Sequence, residues 1–230
     1  MSVYSDLFVG PDPVPASSAT QSAYFTLRNL IVTGALRPGE KLKIGALCER
    51  LNIGASPIRE ALSLLTSDNL VERIDQRGFR ASPTNLRNFK EILSLRCELE
   101  DMALRQSVEN RTDAWEEELV LCHHRMRREQ EKNGDDFETL HKAFHMAILS
   151  NCGGPILFKF CSQLYDLNIR YRYLAGNAVD YQSRDTAAEH KAILDILLAG
   201  DADAASDCLL DHYRKTGAFL SRVLEGMGVP

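Results

Sequence analysis

The segment from Leu42 to Pro83 constrains the fold of this chain more than any other part of its sequence. The spacing of its apolar residues predicts a short helix from Ile44 to Leu51 and a tight turn at 52–55. A second helix is expected to begin at Ser56, a residue type that caps helix N-termini. Pro57 then falls in the first turn, where its missing N–H group costs no hydrogen bond. Two helices joined by a short turn are typical of a helix-turn-helix motif.

Two runs of alternating apolar and polar residues follow the second helix. They cover residues 70–74 and 79–82 and are joined by a turn at 75–78, so they predict a β-hairpin. Helix, turn, helix and hairpin together form the pattern of a winged helix-turn-helix, whose second helix lies in the DNA major groove. An ordinary helical hairpin with a surface β-turn fits the same spacing, and spacing alone does not decide between the two.

Three segments of this region resemble the N-terminal domain of the GntR family of bacterial transcription regulators. They are PGEKL at 38–42, SPIREAL at 56–62 and NLVERIDQRGFRAS at 69–82, in the family's order and at its separations. The resemblance implies a DNA-binding protein. By match to the family, the residues expected to contact DNA lie at the start of the second helix and at the wing: Ser56, Arg59, Arg77, Gly78 and Arg80.

The start of the second helix leaves one alternative open and shows one departure from the family. Arg59 could contact a phosphate or a guanine edge, or it could form a salt bridge with a neighbouring acid such as Glu60. The chain also has Gly54-Ala55 where many family members have Ser-Arg, so a usual base-reading arginine is absent. The operators of other members are therefore not expected to transfer to this chain.

The distribution of charge supports domains with different partners. The whole chain carries a net charge of −5, which argues against nucleic-acid binding if taken as a single number. Residues 20–83, however, contain nine Lys and Arg against six Asp and Glu, whereas residues 84–230 contain eighteen against twenty-four. We expect a flexible arm at 1–19, a DNA-binding domain at 20–83 and a second domain at 84–230. Because the DNA-binding domain is only modestly basic, tight binding of an operator is expected to need a homodimer.

After Pro83 the alternating patterns disappear and helical periodicity continues to the end of the chain. Asn85 is expected to cap a long helix that ends near Val108. Later helices are expected at about 113–132, up to about 152, and at 156–175, 183–199 and 202–224. The predicted fold class is mainly α, with an N-terminal winged helix-turn-helix and a C-terminal all-α bundle of six or seven helices.

The chain shows no sign of a membrane or secreted protein. No segment approaches the ~20 apolar residues of a membrane-spanning helix, and the N-terminus lacks the pattern of a secretion signal. A soluble, cytoplasmic protein without a membrane partner is therefore expected. The six cysteines show no C-x-x-C spacing and fall mostly in helical patterns, so they are expected to be buried free thiols.

Four of the six histidines fall in the later helices. His141 and His145 are four residues apart, so they project from one helix face, and His190 and His212 lie in the last two helices. Three facing helices that carry inward imidazoles could build a metal site inside a bundle. Surface or packed histidines are the alternative, because sequence alone does not show that the helices converge.

Residues from about 85 to 222 resemble the all-helical effector domain of the FadR-type branch of the GntR family. The matching segments are LRCELEDMAL at 95–104, KAFHMAILSNCGG at 142–154, AAEHKAIL at 187–194 and GDADAASDCLLDHY at 200–213. In many members an acidic residue and three histidines bind a divalent metal, and the resemblance places these ligands on His141, His145, His190 and His212. His141 departs from the family, which has Asp there. Four neutral nitrogens favour zinc, nickel or copper over manganese or magnesium, with zinc the first expectation.

The same resemblance implies that the metal faces a small cavity and holds a carboxylate of an effector. Candidate cationic partners for that effector are Arg96, Arg170 and Arg172. Arg96 lies on the inner stripe of its predicted helix, but a salt bridge with a helix glutamate is an equal alternative. Arg170 and Arg172 point roughly 200° apart around a helix, so at most one of them faces the cavity. A small dicarboxylate is the favoured effector.

These observations predict a homodimeric transcription regulator, by default a repressor, that leaves its operator when the effector binds. One alternative is a metal-responsive regulator in which the ion itself is the signal. A metal-dependent enzyme is the other alternative, and it is disfavoured because HKAFH at 141–145 lacks the glutamate of the H-E-x-x-H arrangement.

Overall fold

The computed structural model describes residues 18–75, 77–132, 134, 136–176 and 184–229. Among these residues the chain forms two compact units. The first unit contains the residues up to Phe89, the segment Asp166–Gly176 and the residues from Leu224 onward. The second unit contains Lys90–Tyr165 and the residues from 184 to Val223. The predicted arm at 1–19 lies, apart from its last two residues, outside the described residues.

Helices dominate both units, as the sequence predicts. The elements up to Ala81 are α1 (Ala19–Val32), β1 (Lys41–Leu42), α2 (Ile44–Leu51), α3 (Ala55–Ser67), β2 (Val71–Ile74) and β3 (Gly78–Ala81). The later elements are α4 (Leu86–Glu109), α5 (Asp113–Glu131), α6 (Phe137–Leu149), α7 (Pro155–Ala175), α8 (Thr186–Ala199) and α9 (Ala202–Gly226). The predicted fold class is confirmed, with six helices after the hairpin in the part of the chain that the structure describes.

Two residues shape the turn between α2 and α3: Asn52 ends the first helix and Gly54 caps the start of the second. Asn52 ends α2 in the left-handed conformation (φ 52°), which asparagine tolerates better than most residues. Gly54 then takes the extended conformation of an N-cap (φ −64°, ψ 161°), and α3 begins at Ala55. The prediction that Ser56 is the N-cap is wrong, because the chain enters the helix two residues earlier. Pro57 still lies in the first turn, as expected.

A buried stripe on α3 holds the motif together. Its members are Ile58, Ala61, Leu62 and Leu65, each inaccessible to solvent, as the sequence predicts. They lie on the helix that packs against α1, whose Leu27 and Ile31 are also buried. Each large aliphatic side chain buried in this way contributes about 1.5–3 kcal/mol. The packing fixes the orientation of α3 and leaves its opposite face exposed.

The hairpin belongs to a three-stranded antiparallel sheet with the order β1-β3-β2. In the hairpin Val71 pairs with Ala81 and Ile74 with Gly78, so the predicted strands are confirmed. The two-residue strand β1 was not predicted, because two residues carry no detectable alternation. Gly78 has a positive φ of 92°, which suits glycine at the end of a tight turn.

Polar caps begin several of the helices that follow the hairpin. The side chain of Asn85 accepts a hydrogen bond from the backbone N–H of Asn88 at 2.7 Å, which confirms the predicted cap of α4. Thr112 and Asp185 cap α5 and α8 in the same way. Some predicted turn and boundary residues lie outside the described residues: Gln76, Asn133, Asp135 and Ser183.

The cysteines are all free, but only half of them are buried. Cys122, Cys152 and Cys161 are buried as predicted, and burial raises the pKa of Cys122 and of Cys161 to about 12. The prediction was wrong for Cys48, Cys97 and Cys208, which are half-buried because each adjoins the buried stripe of its helix rather than lying on it.

Within the described ranges, no helix is both long and apolar enough to cross a lipid bilayer.

Candidate functional site

The first candidate site is the exposed N-terminal part of α3. Ser56 and Arg59 are both exposed there. The carboxylate of Glu60 accepts hydrogen bonds from Ser56 Oγ at 3.3 Å and from Thr20 Oγ1 at 2.8 Å. The alternative salt bridge of Arg59 is not formed, since no ion pair involves Arg59 among the residues that the structure describes. Its guanidinium is therefore available to a phosphate or a base edge.

The wing residues divide into two kinds. Arg77 and Gly78 are exposed at the end of the turn that joins β2 to β3. Arg80 is half-buried and pairs with Glu72, the residue opposite it in the sheet, through an Nε to Oε2 hydrogen bond of 2.7 Å. Because this ion pair offsets the charge of Arg80, Arg77 is the stronger candidate for a phosphate contact.

The second candidate site is a cluster of four buried histidines in the second unit. His141 and His145 lie one turn apart on α6, His190 lies on α8 and His212 lies on α9. Their side chains are 7%, 1%, 1% and 6% exposed, respectively. One potential ligand atom of each residue lies within 4.8 Å of those of the others. The structure therefore brings together all four histidines that the sequence singled out.

The ring nitrogens approach one another at distances that suit a shared ion. Nε2 of His141 lies 3.2 Å from Nε2 of His145 and 3.3 Å from Nε2 of His190. Two nitrogens bound to one tetrahedral zinc at 2.0–2.1 Å are about 3.3 Å apart. This donor set could hold a divalent metal of borderline softness.

Two tyrosines contact the opposite nitrogens of the α6 histidines. Nδ1 of His141 lies 2.5 Å from the hydroxyl oxygen of Tyr165, and Nδ1 of His145 lies 3.0 Å from that of Tyr213. Tyr213 donates its own proton to Glu100, so its oxygen accepts the hydrogen bond from His145. His145 therefore carries its proton on Nδ1 and presents an unprotonated Nε2 to the cluster, as a metal ligand must.

His212 is held by a carboxylate that an arginine supports. Its Nδ1–H donates to Oε2 of Glu189 at 2.7 Å, and Nε of Arg184 donates to Oε1 of Glu189 at 2.6 Å. Burial alone would raise the pKa of Glu189, but hydrogen bonds from His212 and Arg184 lower it to about 2. Burial lowers the pKa of His212 despite the partly compensating contact with Glu189. Glu189 is thus a carboxylate at neutral pH beside a neutral imidazole.

Arg96 forms the salt bridge that the sequence left open. Its Nε lies 2.6 Å from Oε1 of Glu100, and both side chains are buried. Its guanidinium also lies 4.3 Å from the ring centre of Tyr213 and 5.0 Å from that of Tyr165. Arg96 therefore supports both tyrosines that contact the histidine cluster.

The two other candidate arginines belong to the first unit. Arg170 is buried and donates from Nη2 to the backbone oxygen of Ser82 at 2.7 Å, and Arg172 is half-buried. Arg96, in contrast, lies beside two tyrosines that contact the histidines.

Sequence reasoning missed most of the residues that surround the histidines: Glu100, Tyr165, Arg184, Glu189 and Tyr213. Glu189 and Tyr213 adjoin His190 and His212 in the sequence, but each contacts a different histidine from the one beside it. Such crossed pairing depends on how three helices face one another, and no spacing in a single helix encodes it.

A winged helix-turn-helix followed by a helical domain is the architecture of a DNA-binding transcription regulator. Comparison with known families identifies the branch. Residues 19–80 match the model of the bacterial regulatory proteins of the gntR family, and residues 91–215 match the FCD domain. The chain belongs to the GntR family of transcription regulators, in the group with an FCD domain, and it is a DNA-binding transcriptional regulator.

Relatives and solved structures agree with this assignment. An uncharacterized regulator, BphR of Paraburkholderia xenovorans, is 34% identical over 219 residues, which cover 91% of this chain and 89% of BphR. The transcriptional repressor GlaR of Escherichia coli is 30% identical over 211 residues, covering 88% and 96%. The structure of E. coli McbR/YncC superposes with a TM-score of 0.79 at 28% identity and covers 90% of this chain and 98% of McbR.

Proposed function

We propose that the chain is a homodimeric repressor whose operator affinity is set by a small carboxylate bound beside a divalent metal. The observation that carries this proposal is the convergence of four buried histidines, with Nε2 atoms 3.2 and 3.3 Å apart. One divalent metal ion could bind all four of these buried imidazoles as their shared partner.

The donor set favours zinc, with nickel as the second choice. All four ligands are neutral nitrogens, since His141 stands where the family resemblance implies an acid. Nitrogen ligands suit zinc, nickel and copper better than magnesium or manganese. Zinc can accept a fifth ligand, so a carboxylate oxygen can join the four nitrogens. The bound ion supplies positive charge that attracts the acid.

Arg96 is the proposed cationic partner of the effector. It lies against Tyr165 and Tyr213, which contact the metal-binding histidines, and its present carboxylate partner is Glu100. A guanidinium carries five N–H donors, so an effector carboxylate can bind Arg96 beside Glu100. For Arg170 and Arg172 an effector role stays a prediction. A dicarboxylate is favoured because it can engage the metal and an arginine at once.

On the DNA side, Ser56, Arg59, Arg77, Gly78 and Arg80 are the proposed contacts. Two copies of α3 in a homodimer would read two half-sites one helical turn apart, which compensates for the modest charge of a single domain. An effector that favours the arrangement unable to bind DNA shifts the dimer off its operator, by a factor no larger than its difference in affinity for the two states. Such a regulator works in the cytoplasm, where bacterial operators are.

A metal-responsive regulator is the second candidate function. Four nitrogen ligands are enough to complete a tetrahedral zinc site, and in that case the ion alone could be the signal. Catalysis is not proposed, because the cluster lacks the glutamate of the H-E-x-x-H arrangement and the relatives named above are regulators.

Fluorescence anisotropy on DNA from upstream of the protein's own gene tests the proposal. Metal-free protein, zinc-loaded protein and zinc-loaded protein with succinate, glutarate or adipate would be titrated against excess nonspecific competitor. Specific binding that an acid weakens only in zinc-loaded protein is expected. A change caused by zinc alone, with no effect of any acid, would favour the metal-responsive regulator instead, and the absence of specific binding would contradict both.

A further inference from the structure

The helix α7 belongs to both compact units. Its residues up to Tyr165 are part of the second unit, and its residues from Asp166 to Ala175 are part of the first. An α-helix of this length is stiff, because every backbone N–H in its interior is bonded to a carbonyl one turn away. Any displacement of Tyr165 along or around the helix axis is therefore shared by Asp166.

On the sensor side, Tyr165 contacts a histidine of the cluster. Its hydroxyl oxygen lies 2.5 Å from Nδ1 of His141, and only 3% of the residue is exposed. A metal on Nε2 requires His141 to carry its proton on Nδ1, so the tyrosine oxygen must then accept the hydrogen bond. Outer contacts of this kind strengthen when a metal polarises the imidazole. Occupancy of the cluster therefore changes the restraint on Tyr165.

On the DNA-binding side, Asp166 pairs with α1. Its Oδ2 accepts a hydrogen bond from Nε of Arg28 at 2.8 Å, and both side chains are largely buried. One turn earlier on α1, the hydroxyl of Tyr24 donates to Oδ2 of Asp68 at 2.7 Å. Asp68 is the C-cap of α3, the proposed recognition helix, so α1 connects Asp166 to the end of that helix.

Two more contacts anchor the same part of α7 in the first unit. Arg170 bonds the backbone oxygen of Ser82, directly after the last wing strand. The ring centre of Tyr171 also lies 5.0 Å from that of Phe89, which is near the start of α4. The C-terminal half of α7 therefore touches the elements that precede and follow the helix-turn-helix and wing.

We propose that α7 transmits the state of the histidine cluster to the recognition helix through the adjacent residues Tyr165 and Asp166. The route runs from His141 to Tyr165, along the helix to Asp166, and through Arg28 and α1 to the end of α3. This inference rests on the proposed function, since it supplies the physical connection that a metal-dependent and acid-dependent operator affinity requires. Both residues act as positioning residues, because neither is among the residues proposed to contact DNA.

The test compares the operator affinity of each variant with and without ligand. A change in affinity that a substitution causes in both states then cancels. For each variant, anisotropy gives the operator Kd of metal-free protein, of zinc-loaded protein, and of zinc-loaded protein with succinate, glutarate or adipate. Chelator competition gives the zinc affinity of each variant. The variants are Tyr165→Phe, which keeps the ring beneath Arg96, and Asp166→Asn, which keeps the side-chain shape. Lys159→Ala, an exposed position on α7, is the matched control.

In the wild type and the control, ligand is expected to change the operator Kd by at least about fivefold. In Tyr165→Phe and Asp166→Asn at saturating zinc, the change is expected to fall below about twofold, while Asp166→Asn retains the zinc affinity of the wild type. Far-ultraviolet circular dichroism and the fluorescence of Trp115 would verify that both variants are folded.

The unfavourable outcomes are distinguishable. If both variants keep the ligand-dependent change of the wild type, the role of α7 is refuted and the proposed function stands. If only Tyr165→Phe loses the change, Tyr165 acts within the metal site and the route through Asp166 is refuted. If the wild type itself responds to neither zinc nor any of the acids, the proposed function fails and the inference fails with it.

Discussion

Nδ1 of His212 on α9 donates a hydrogen bond to the carboxylate of Glu189 on α8, at 2.7 Å. The contact joins two helices and also decides which nitrogen of His212 is available to a ligand. With Nδ1 engaged by a carboxylate, Nε2 is the nitrogen left to bind an ion. Arg184 bonds the same carboxylate, so the acceptor is itself held in place.

This relationship predicts that Glu189→Gln weakens metal binding without removing it. Loss of the negative charge makes the imidazole of His212 a poorer donor to a metal and leaves Arg184 without its ionic partner, and outer contacts of this kind are worth about 10–100-fold in metal affinity. Competition with a chromophoric chelator for zinc measures the effect. Glu117→Gln, at an exposed position on α5, should bind zinc like the wild type. Equal affinity in both variants would mean that Glu189 does not support a ligand.

Removal of an imidazole should have a larger effect. His145→Ala and His190→Ala are each expected to lose stoichiometric zinc after dialysis, because each leaves only three of the four converging nitrogens. Metal content per protomer, measured by mass spectrometry, checks this. His124→Ala is the matched control, since His124 is an exposed histidine on α5 and should not affect metal content. One zinc per protomer in both cluster variants would contradict a metal site at these histidines.

Arg59 should carry a large share of operator recognition. Its side chain is exposed in the first turns of α3, so Arg59→Ala is expected to weaken operator binding by about 1–3 kcal/mol. Anisotropy on the operator, beside a scrambled sequence, measures the loss and shows whether it is specific. Arg87→Ala removes the same charge from an exposed position on α4 and should leave the preference for operator over scrambled DNA intact. Identical behaviour of the two variants would mean that Arg59 contributes only nonspecific positive charge to DNA binding.

The link between α8 and α9 depends on a glycine. Gly200 ends α8 at φ 79°, and a Cβ there would also collide with Nη1 of Arg111. A non-glycine residue in the left-handed region costs roughly 1–2 kcal/mol, so Gly200→Ala should destabilise the second unit by at least about that much. Urea unfolding followed through Trp115, the only tryptophan of the chain, measures the change.

Repeating Gly200→Ala in an Arg111→Ala background separates the two causes. The collision disappears there, whereas the backbone strain remains. A smaller loss of stability in that background is expected, and a gain of stability in either background would contradict the assigned role of the glycine.

The helices and the hairpin could be predicted from the sequence because the residue patterns that indicate them are local. Asn85, the stripe on α3 and the hairpin strands each depend on neighbours within a few residues, and the structure confirms them. The start of α3 was misplaced because Gly54 has no side chain to mark an N-cap, whereas Ser56 carries the expected hydroxyl. Residue type alone favoured the wrong position.

The candidate site was predictable only in part. Spacing placed His141 and His145 on one helix face but left open whether His190 and His212 converge on them, and the family resemblance favoured that convergence. The contacts that orient the histidines could not be inferred, because Tyr165, Glu189 and Tyr213 each pair with a histidine on another helix. The relative rotation of packed helices determines those pairs, and it depends on the whole core.

Reciprocal binding is the most direct test of the claim that an acid bound beside the metal controls operator affinity. The affinity of zinc-loaded protein for the acid that releases operator would be measured by calorimetry, first with free protein and then with saturating operator DNA. If acid and DNA act through one equilibrium, operator must weaken acid binding by the same factor by which the acid weakens operator binding. Acid affinity that is unchanged by operator, or acid that binds equally well to protein stripped of zinc, would contradict the account.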